Sequence, residues 1–428
     1  MTTVLQGNFI YAPEWGKLEA VPRGYLVLED GAIQGLYPIL PERYTACPAE
    51  DWGDALIMPS FADMHLHAPQ YPMLGMGMDL PLLEWLDAYT FRTEARFSDT
   101  AYARQVYRQL AEDLITSGTT RVCAFSSRHT DATLILMDEL ERAGVTGYVG
   151  KVNMDRHSGP AQESTDESIR ETLRWLDGCR FAHVKPILTP RFTPSCTDGL
   201  LAELGRLAAE RELPVQSHLS ENVSEIAWVR ELHPDCSRYW ETYAKYGLWK
   251  DGALMAHCVY SGPEERAAMA RAGVWAVHCA ASNMNLCSGT APVRTLVEEG
   301  VTVALGSDIA GGDQLAMSKV IVMSIRASKV RQMETGEPFL TVPEAYYLGS
   351  TAGHRYFGGG AGFQAGCKLH AIVVDDSAMP APARSLSLAE RFERAVYLMD
   401  KRHIQAVYSE GRKVHTLQQG AGLGSQNS

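Results

Sequence analysis

The stretch ALIMPSFADMHLH, residues 55–67, is an apolar segment that ends in two histidines, His65 and His67. Short apolar runs of this kind are typical of buried β-strands. Because side chains two residues apart on a strand point to the same face, we expect the two imidazoles to emerge side by side at the strand's carboxyl end. Taken alone, a His-x-His pair is also compatible with chance or with a surface feature.

Seven further segments of the same kind follow along the chain, and stretches with helical periodicity separate them. The other predicted strands are TTRVCAF (119–125), TGYVGKVNM (146–154), HVKPILTPRF (183–192), LPVQSHLSE (213–221), ALMAHCV (253–259), GVWAVHCAASN (273–283) and GVTVALGSD (300–308). The predicted helices span 101–116, 132–143, 164–177, 198–211, 222–233, 262–272 and 291–299. Eight strands alternating with helices indicate an α/β protein with a (β/α)8 TIM barrel. A doubly wound open sheet shows the same alternation, and strand count alone does not exclude it.

Polar residues capable of chemistry lie at the carboxyl ends of these predicted strands. The first predicted strand ends in His65 and His67. The corresponding residues of the later strands are Arg191 on the fourth, His218 on the fifth, His257 on the sixth, Ser282 and Asn283 after the seventh and Asp308 on the eighth. In barrels of this type the carboxyl ends of the strands form the face that carries the active site. This placement favours the barrel and locates its functional face.

The two ends of the chain show a different pattern. Residues 24–38, GYLVLEDGAIQGLYP, predict a hairpin around Asp30 and Gly31, and residues 368–376 and 404–414 predict further short strands. We expect these strands to pair into a small β-sandwich that flanks the barrel. The predicted domains are therefore 1–58 and 365–428, which together form the sandwich, and 59–364, which forms the barrel.

Composition excludes several classes of protein. The 428 residues carry a formal net charge of -12, whereas nucleic-acid binding needs a basic surface. The chain has no basic leader followed by an apolar run and no stretch of about 18 apolar residues, which predicts a cytoplasmic protein without a membrane anchor. Its nine cysteines form no C-x-x-C pair, and we expect them to be buried small hydrophobes.

The histidines and Asp308 together suggest a metal site. Imidazole nitrogens combined with a carboxylate oxygen suit zinc, and a catalytic zinc keeps one position for water. Three of the histidines at positions 65, 67, 218 and 257, together with Asp308, could hold the metal and leave the fourth histidine free. A chance placement of all five residues on one barrel face would be rare.

Glu221 lies three residues after His218, just beyond the fifth predicted strand. One interpretation is a solvated residue in the first turn of a helix, where negative charge is favourable. The other is a general acid or base that carries protons between water and a substrate nitrogen. The neighbouring histidines favour the second interpretation.

Several longer motifs resemble those of the amidohydrolase superfamily and, within it, the guanine deaminase family. They are HLHAPQYPMLGMGMDLPLLEWLDAYTFRTEARF (65–97), VGKVNMDR (149–156), ILTPRFTPSC (187–196), QSHLSENVSEIAWV (216–229), MAHCVY (255–260) and GSDIAGG (306–312). His-x-His is common across the superfamily, whereas HAPQ, LLEWL and TPRF are more specific to guanine deaminases. The resemblance covers nearly the whole chain.

The resemblance implies a set of roles. It implies one Zn2+ ion held by His65, His67, His218 and Asp308. It also implies that His257 orients a water molecule, that Asp308 takes its proton and that Glu221 delivers a proton to the substrate ring. Gln70 and Arg191 would hydrogen-bond the purine, and Phe192 would lie against its ring. The expected reaction, part of purine catabolism or salvage, converts guanine to xanthine and ammonia, and the expected assembly is a homodimer.

The chain departs from the family pattern at several positions. Ala280 replaces a common proline in HCAASN, and Ser307 replaces the usual threonine before Asp308. Both changes bear on fine substrate preference more than on chemistry. Many superfamily members bridge two metals with a carboxylated lysine at the end of strand four, but Pro190 and Arg191 occupy that end here, and Lys185 lies earlier. A single metal is therefore expected.

Two other functions remain open from the sequence. The first is an aminohydrolase acting on another heterocycle, such as a modified guanine, a pterin or a triazine. The second is a non-catalytic barrel that serves as a binding or scaffold protein. Loss of a metal ligand or of the proton carrier would indicate the scaffold, and all six residues are present.

Overall fold

The computed structural model describes residues 1–360 and 362–417. The strands are β1 (Thr2–Tyr11), β2 (Glu19–Glu29), β3 (Ala32–Tyr37), β4 (Ala49–Pro59), β5 (Phe61–His67), β6 (Thr119–Phe125), β7 (Thr146–Gly150), β8 (Val152–Asn153), β9 (Val184–Pro186), β10 (Thr189–Pro190), β11 (Gln216–Leu219), β12 (Leu254–His257), β13 (Trp275–His278), β14 (Val303–Leu305), β15 (Ala371–Val374), β16 (Ile404–Ser409) and β17 (Arg412–Thr416).

The helices are α1 (Leu82–Trp85), α2 (Phe91–Ala95), α3 (Thr100–Thr116), α4 (Thr130–Ala143), α5 (Thr165–Gly178), α6 (Asp198–Glu210), α7 (Val223–Leu232), α8 (Glu241–Ala244), α9 (Pro263–Ala272), α10 (Ala280–Asn285), α11 (Val293–Glu298), α12 (Met317–Thr335), α13 (Val342–Tyr347), α14 (Gly353–Tyr356) and α15 (Leu388–Leu398). A π-helical turn, Leu86–Thr90, joins α1 to α2, and a second, Leu348–Ala352, joins α13 to α14. Short 3-10 turns lie at Glu42–Tyr44, Ala68–Met73, Arg96–Ser98, Gly159–Ala161 and Thr193–Ser195.

The eight predicted strands form a parallel ring in sequence order. One half is the sheet β5-β6-β7-β9, and the other is β11-β12-β13-β14. Leu188 joins the halves at one junction, where its N–H donates to Pro214 and its carbonyl accepts from Gln216. At the other junction the N–H of Asp308 donates to the carbonyl of His65 over 2.8 Å. The predicted barrel is confirmed, and the open sheet is wrong.

The helices cover the outside of this ring, as α3 illustrates. Asp99 precedes the helix, and its carboxylate accepts hydrogen bonds from the N–H groups of Ala101 and Tyr102. A buried stripe at helical spacing, which includes Tyr107 and Leu114, packs into the main apolar core. All seven predicted helices are present with ends within two residues of those expected. The longest helix, α12, follows the eighth strand and was not predicted.

Both chain ends contribute to the flanking domain, as expected. Its strands form one continuous sheet in the order β17-β16-β15-β4-β1-β2-β3, where a sandwich was predicted. Asp30 and Gly31 both have positive φ in the β2–β3 turn, as the predicted hairpin requires. This tip meets the β16–β17 turn, because a Cβ on Gly31 would lie 2.9 Å from the Cα of Gly411. The two ends of the sheet therefore curl toward each other around a shared apolar cluster.

Several other predictions can be compared with the described residues. All nine cysteines lie in the described ranges and are free; Cys123, Cys196, Cys258 and Cys279 are buried. Cys287 is exposed and Cys47, Cys179, Cys236 and Cys367 are only partly buried, so the expectation of burial is wrong for these five. The domain boundaries stay a prediction, and residues 418–428 of the last domain lie outside the described part of the chain. Within the described ranges, no helix has the length and apolar character needed to span a lipid bilayer.

Candidate active site

A change of register in β5 places the first two histidines. Asp63 pairs with Val122 on β6, and the next pairing joins Leu66 to Ala124. Between these pairs β5 advances three residues while β6 advances two, so β5 carries one extra residue. Such a β-bulge re-aims the side chains that follow it, and bulges are frequent beside active sites.

The side chains of β5 have different surroundings on the two sides of the bulge. Ala62 and Met64 belong to the apolar cluster inside the barrel. Across the bulge, His67 lines the pocket at the carboxyl end, and the ring centroid of His65 lies 5.0 Å from that of His67. The prediction that the two imidazoles emerge side by side is confirmed.

All five predicted metal-site residues come together at the carboxyl ends of the strands. Nε2 of His67 lies 3.1 Å from Nε2 of His218. One carboxylate oxygen of Asp308, Oδ1, lies 3.3 Å from Nε2 of His65 and 3.5 Å from Nε2 of His67. Its other oxygen, Oδ2, lies 3.8 Å from Nε2 of His257. Nitrogen and oxygen atoms so close together form a group suited to a metal cation.

Hydrogen bonds behind the imidazoles determine which nitrogen faces the centre. Nδ1 of His218 lies 2.5 Å from the carbonyl oxygen of Arg191, which can only accept, so this nitrogen carries the proton. Nδ1 of His257 lies 2.8 Å from Oδ1 of Asn283 and donates in the same way. Within the described residues, Nε2 of His65 and Nε2 of His257 have no hydrogen-bond partner. Lone pairs held toward one point by outer hydrogen bonds are the pattern of metal ligands.

The electrostatics of the cluster agree with this assignment. Burial, and then the positive charge of Arg191, lowers the pKa of His67 well below its usual value. Burial and the neighbouring His65 do the same for His218. Burial alone would raise the pKa of Asp308, but the adjacent imidazole of His65, 3.3 Å from Oδ1, and the other nearby imidazoles hold that pKa far below its usual value. Neutral imidazoles beside an ionised carboxylate are the protonation states that a cation requires.

Glu221 faces the same centre from the loop after β11. Its Oε2 lies 3.4 Å from Nε2 of His257, and Ser288 donates a hydrogen bond to its Oε1 over 3.1 Å. Glu221 is buried ahead of α7, so the interpretation as a solvated residue of the first helical turn is wrong. Burial, and then the negative charge of Asp308, raises the pKa of Glu221 to about 8. A buried carboxyl that can hold a proton near neutral pH is a candidate general acid.

A second polar group lies in the wall of the pocket. The buried carboxylate of Glu94 accepts a hydrogen bond from Nε2 of Gln70 over 2.9 Å. It also accepts from Nη1 of Arg191, at 2.9 Å through one oxygen and 2.7 Å through the other. Oε1 of Gln70 accepts from the N–H of Ala310 over 3.2 Å. The ring of Phe91 lies under the guanidinium, 5.3 Å away.

The metal group and this polar group border one cavity. Its lining residues are His67, Gln70, Leu82, Trp85, Leu86, Arg191, Phe192, His218, Glu221, His257, Leu286 and Asp308. Phe192 lies within this wall, as expected for a residue that packs against a flat ring. The cavity therefore combines an apolar slot with polar groups at two positions.

Sequence reasoning missed several residues that build the site. Glu94 lies in α2, away from any barrel strand, and its only signal was its place in the long motif at 65–97. Asn283 was noted as polar but without a role, and Ser288 was not noted. Trp85 was visible only as part of LLEWL.

The structure explains two of the positions at which the chain departs from the family pattern. Ser307 keeps a buried hydrogen-bond position: its N–H donates to Asp63 over 2.9 Å, and its hydroxyl bonds the other oxygen of that carboxylate. Lys185 is exposed, and its amine bonds the carbonyl of Phe181, away from the cavity. His278 is buried outside the metal group, and its Nδ1 lacks a partner within the described residues.

Comparisons with known proteins agree with this geometry. The sequence pattern of the amidohydrolase family matches residues 56–414. The guanine deaminase of Dictyostelium discoideum is 34% identical, covering 96% of this chain and 98% of that protein. The human guanine deaminase is 36% identical, covering 83% of this chain and 82% of that protein.

A solved structure is similar over the whole fold. The guanine deaminase from C. acetobutylicum, with guanine bound in its active site, superposes with a TM-score of 0.94 at 40% identity. The match covers 97% of this chain and 100% of that one. The chain belongs to the amidohydrolase family, and its resemblance within that family is to the guanine deaminases.

Proposed function

We propose that this protein hydrolyses guanine to xanthine and ammonia. The observation that carries the proposal is the pairing, across one cavity, of a metal-suited cluster with the Gln70–Glu94–Arg191 group. A flat, neutral ring with carbonyl and amide edges suits that arrangement. The similarity to guanine deaminases, one of them with guanine bound, supports the same substrate.

We further propose one zinc ion per chain, held by His65, His67, His218 and Asp308. The support is the set of short distances between their ligand atoms: 3.1 Å from His67 to His218, and 3.3 and 3.5 Å from Asp308 to His65 and His67. When bound, zinc can lower the pKa of water to about 7 and so supply hydroxide at neutral pH. The same ligands would also accept iron, so the metal needs direct measurement.

The protein's own groups move the protons of the reaction. His257, held by Asn283, orients the attacking water through its Nε2 lone pair. Asp308 accepts a proton from that water. Glu221, which lies 3.4 Å from the same imidazole nitrogen, delivers a proton to the ring nitrogen beside the attacked carbon and then assists departure of the amino group. Attack forms a carbon–oxygen bond. The amino group takes the proton that Asp308 accepted and leaves as ammonia, which breaks the carbon–nitrogen bond, and the new hydroxyl returns a proton to Glu221 as it becomes a carbonyl.

The residues on the side of the cavity opposite the metal group would bind the substrate. Arg191 presents a planar set of N–H donors, which suits the carbonyl oxygen of guanine. Gln70 offers one amide edge to the ring, and Phe192 supports its face. A homodimeric assembly, a role in purine catabolism and a cytoplasmic location remain predictions that go with this function.

The proposed substrate can be tested by measuring ammonia release from guanine, a pterin and a triazine with protein of known metal content. We expect guanine to be the preferred substrate and xanthine to form in equal amount to ammonia. Faster turnover of the pterin or the triazine would replace guanine with that heterocycle. No turnover of any ring by metal-replete protein would favour the scaffold hypothesis.

Removal of the metal gives a second test. Treatment with a chelator is expected to reduce guanine turnover to background, because no side chain of the cluster can make water sufficiently nucleophilic alone. Adding back one equivalent of zinc per chain should restore it. Full activity after metal content has fallen to zero would contradict the metal assignment.

A further inference from the structure

Glu94 is a buried charge that touches two residues proposed to read the purine. Its side chain is 1% exposed, and the Arg191 side chain is 3% exposed. Through two oxygens it accepts hydrogen bonds from Gln70 and Arg191. It lies in α2, whereas those partners belong to the loop after β5 and the segment after β10. One carboxylate thus ties three separate parts of the chain together beside the cavity.

The contacts of Glu94 determine how Gln70 is oriented. A carboxylate can only accept hydrogen bonds, so Nε2 of Gln70 must point to Glu94. A backbone N–H can only donate, so Oε1 of Gln70 must point to Ala310. Both ends of the amide are therefore specified, and the flip that commonly leaves such a side chain ambiguous is excluded.

Glu94 also limits what Arg191 can offer. Nη1 of the guanidinium is committed to the two carboxylate oxygens, at 2.9 and 2.7 Å. The remaining donors, on Nη2 and Nε, are those available to a ligand. The negative charge of Glu94 balances the positive charge of Arg191 in a buried site, where an unpaired charge would be costly. The side of the cavity formed by Arg191 and Glu94 therefore carries no net charge, which suits an uncharged base.

We propose that Glu94 is a positioning and specificity-determining residue, which orients Gln70 and Arg191 for a neutral purine and keeps anionic purines out. This inference rests on the proposed function, because it assumes that the cavity binds guanine. Glu94 acts through its two partners and needs no contact with the reacting atoms.

The test is the substitution Glu94→Gln in metal-replete, full-length protein. An amide offers one acceptor oxygen where the carboxylate offers two, so Gln70 or Arg191 faces a donor and loses its partner. The KM for guanine should rise about 10- to 100-fold, the loss associated with one unsatisfied buried polar group. The kcat should change much less, since the variant loses binding made equally in ground and transition states.

A second readout distinguishes positioning from general damage. At alkaline pH xanthine is an anion, and Arg191 without its counter-charge should attract it. The xanthine inhibition constant should therefore fall by about tenfold or more in Glu94→Gln, while the KM for guanine rises. Glu94→Asp keeps the charge but shortens the reach, so the KM for guanine and the xanthine inhibition constant should rise together.

Glu139→Gln is the matched control. Glu139 is also a buried carboxylate paired with an arginine, 2.6 Å from Nη1 of Arg104, but it lies on α4 outside the cavity. Its loss should lower stability and leave the KM for guanine and the xanthine inhibition constant at wild-type values.

The outcomes separate the two proposals. A folded, metal-replete Glu94→Gln with wild-type KM and xanthine inhibition would overturn the role of Glu94. The same would follow if Glu139→Gln changed both quantities equally. If Glu94→Gln does not fold, Glu94→Asp decides, and a wild-type KM there also overturns the proposal. A wild-type protein that binds guanine but does not deaminate it would refute the proposed function, while the effects on guanine and xanthine binding could still be measured.

Discussion

Substitution of Glu221 by glutamine is expected to lower kcat for guanine by about 100- to 10,000-fold, the usual contribution of a positioned general acid or base. The amide keeps the size of the side chain and can still bond Ser288, which donates to Oε1 of Glu221. It cannot gain and release a proton in the reaction. The measurements are steady-state kinetics together with the metal content of the purified variant.

The substitution Ser288→Ala is expected to lower kcat less than Glu221→Gln does. It removes the hydrogen bond to Glu221 without removing the carboxyl group, so the loss of kcat should be less than about tenfold. A Glu221→Gln variant with full metal content and normal kcat would refute the proton-transfer role. Loss of metal from that variant would show that the carboxylate supports the cluster instead.

Adenine is expected to be a poorer substrate than guanine by about 10,000-fold in kcat/KM. Arg191 lines the cavity and is proposed to donate to a ring carbonyl oxygen, which adenine lacks. A buried donor left without a partner carries a penalty, and sites built to hydrogen-bond a group reject analogues that lack it by about this factor. Competition kinetics with both bases on one preparation would measure the ratio.

A double variant tests whether the arginine is the cause. Replacing Arg191 with methionine and Glu94 with glutamine removes both members of the buried ion pair, which avoids leaving one charge alone. Guanine turnover should fall, and the preference for guanine over adenine should shrink with it. Equal turnover of the two bases by the wild-type protein would show that discrimination does not reside in this group.

The barrel could be predicted from sequence because its signals are local. Each strand is a short apolar run, and each ends in a residue such as His218 or Asp308 whose type already indicates chemistry. Parallel strands bring their carboxyl ends to one face, so five distant residues could be assigned to one site without knowledge of their distances.

The missed features depend on contacts that no local pattern contains. Glu94 meets Arg191 across 97 residues, and α2 carries no strand signal that would place it at the pocket. A role can be assigned to Asn283 only because its side-chain oxygen lies 2.8 Å from Nδ1 of His257. The flanking strands were predicted, but whether they form one sheet or two depends on pairing partners from opposite ends of the chain.

The β-bulge in β5 has a consequence for how such sequences should be read. Period-two alternation correctly puts His65 and His67 on a shared face, but the extra residue between Asp63 and Leu66 selects which face it is. A chain one residue shorter at this point would keep its histidine count, its apolar content and its eight strands. We expect its two imidazoles to turn outward to the helical layer, so that the proposed metal site could not form. Whether a chain of this fold can form the metal site therefore depends on the register of β5 against β6 as well as on the His-x-His motif.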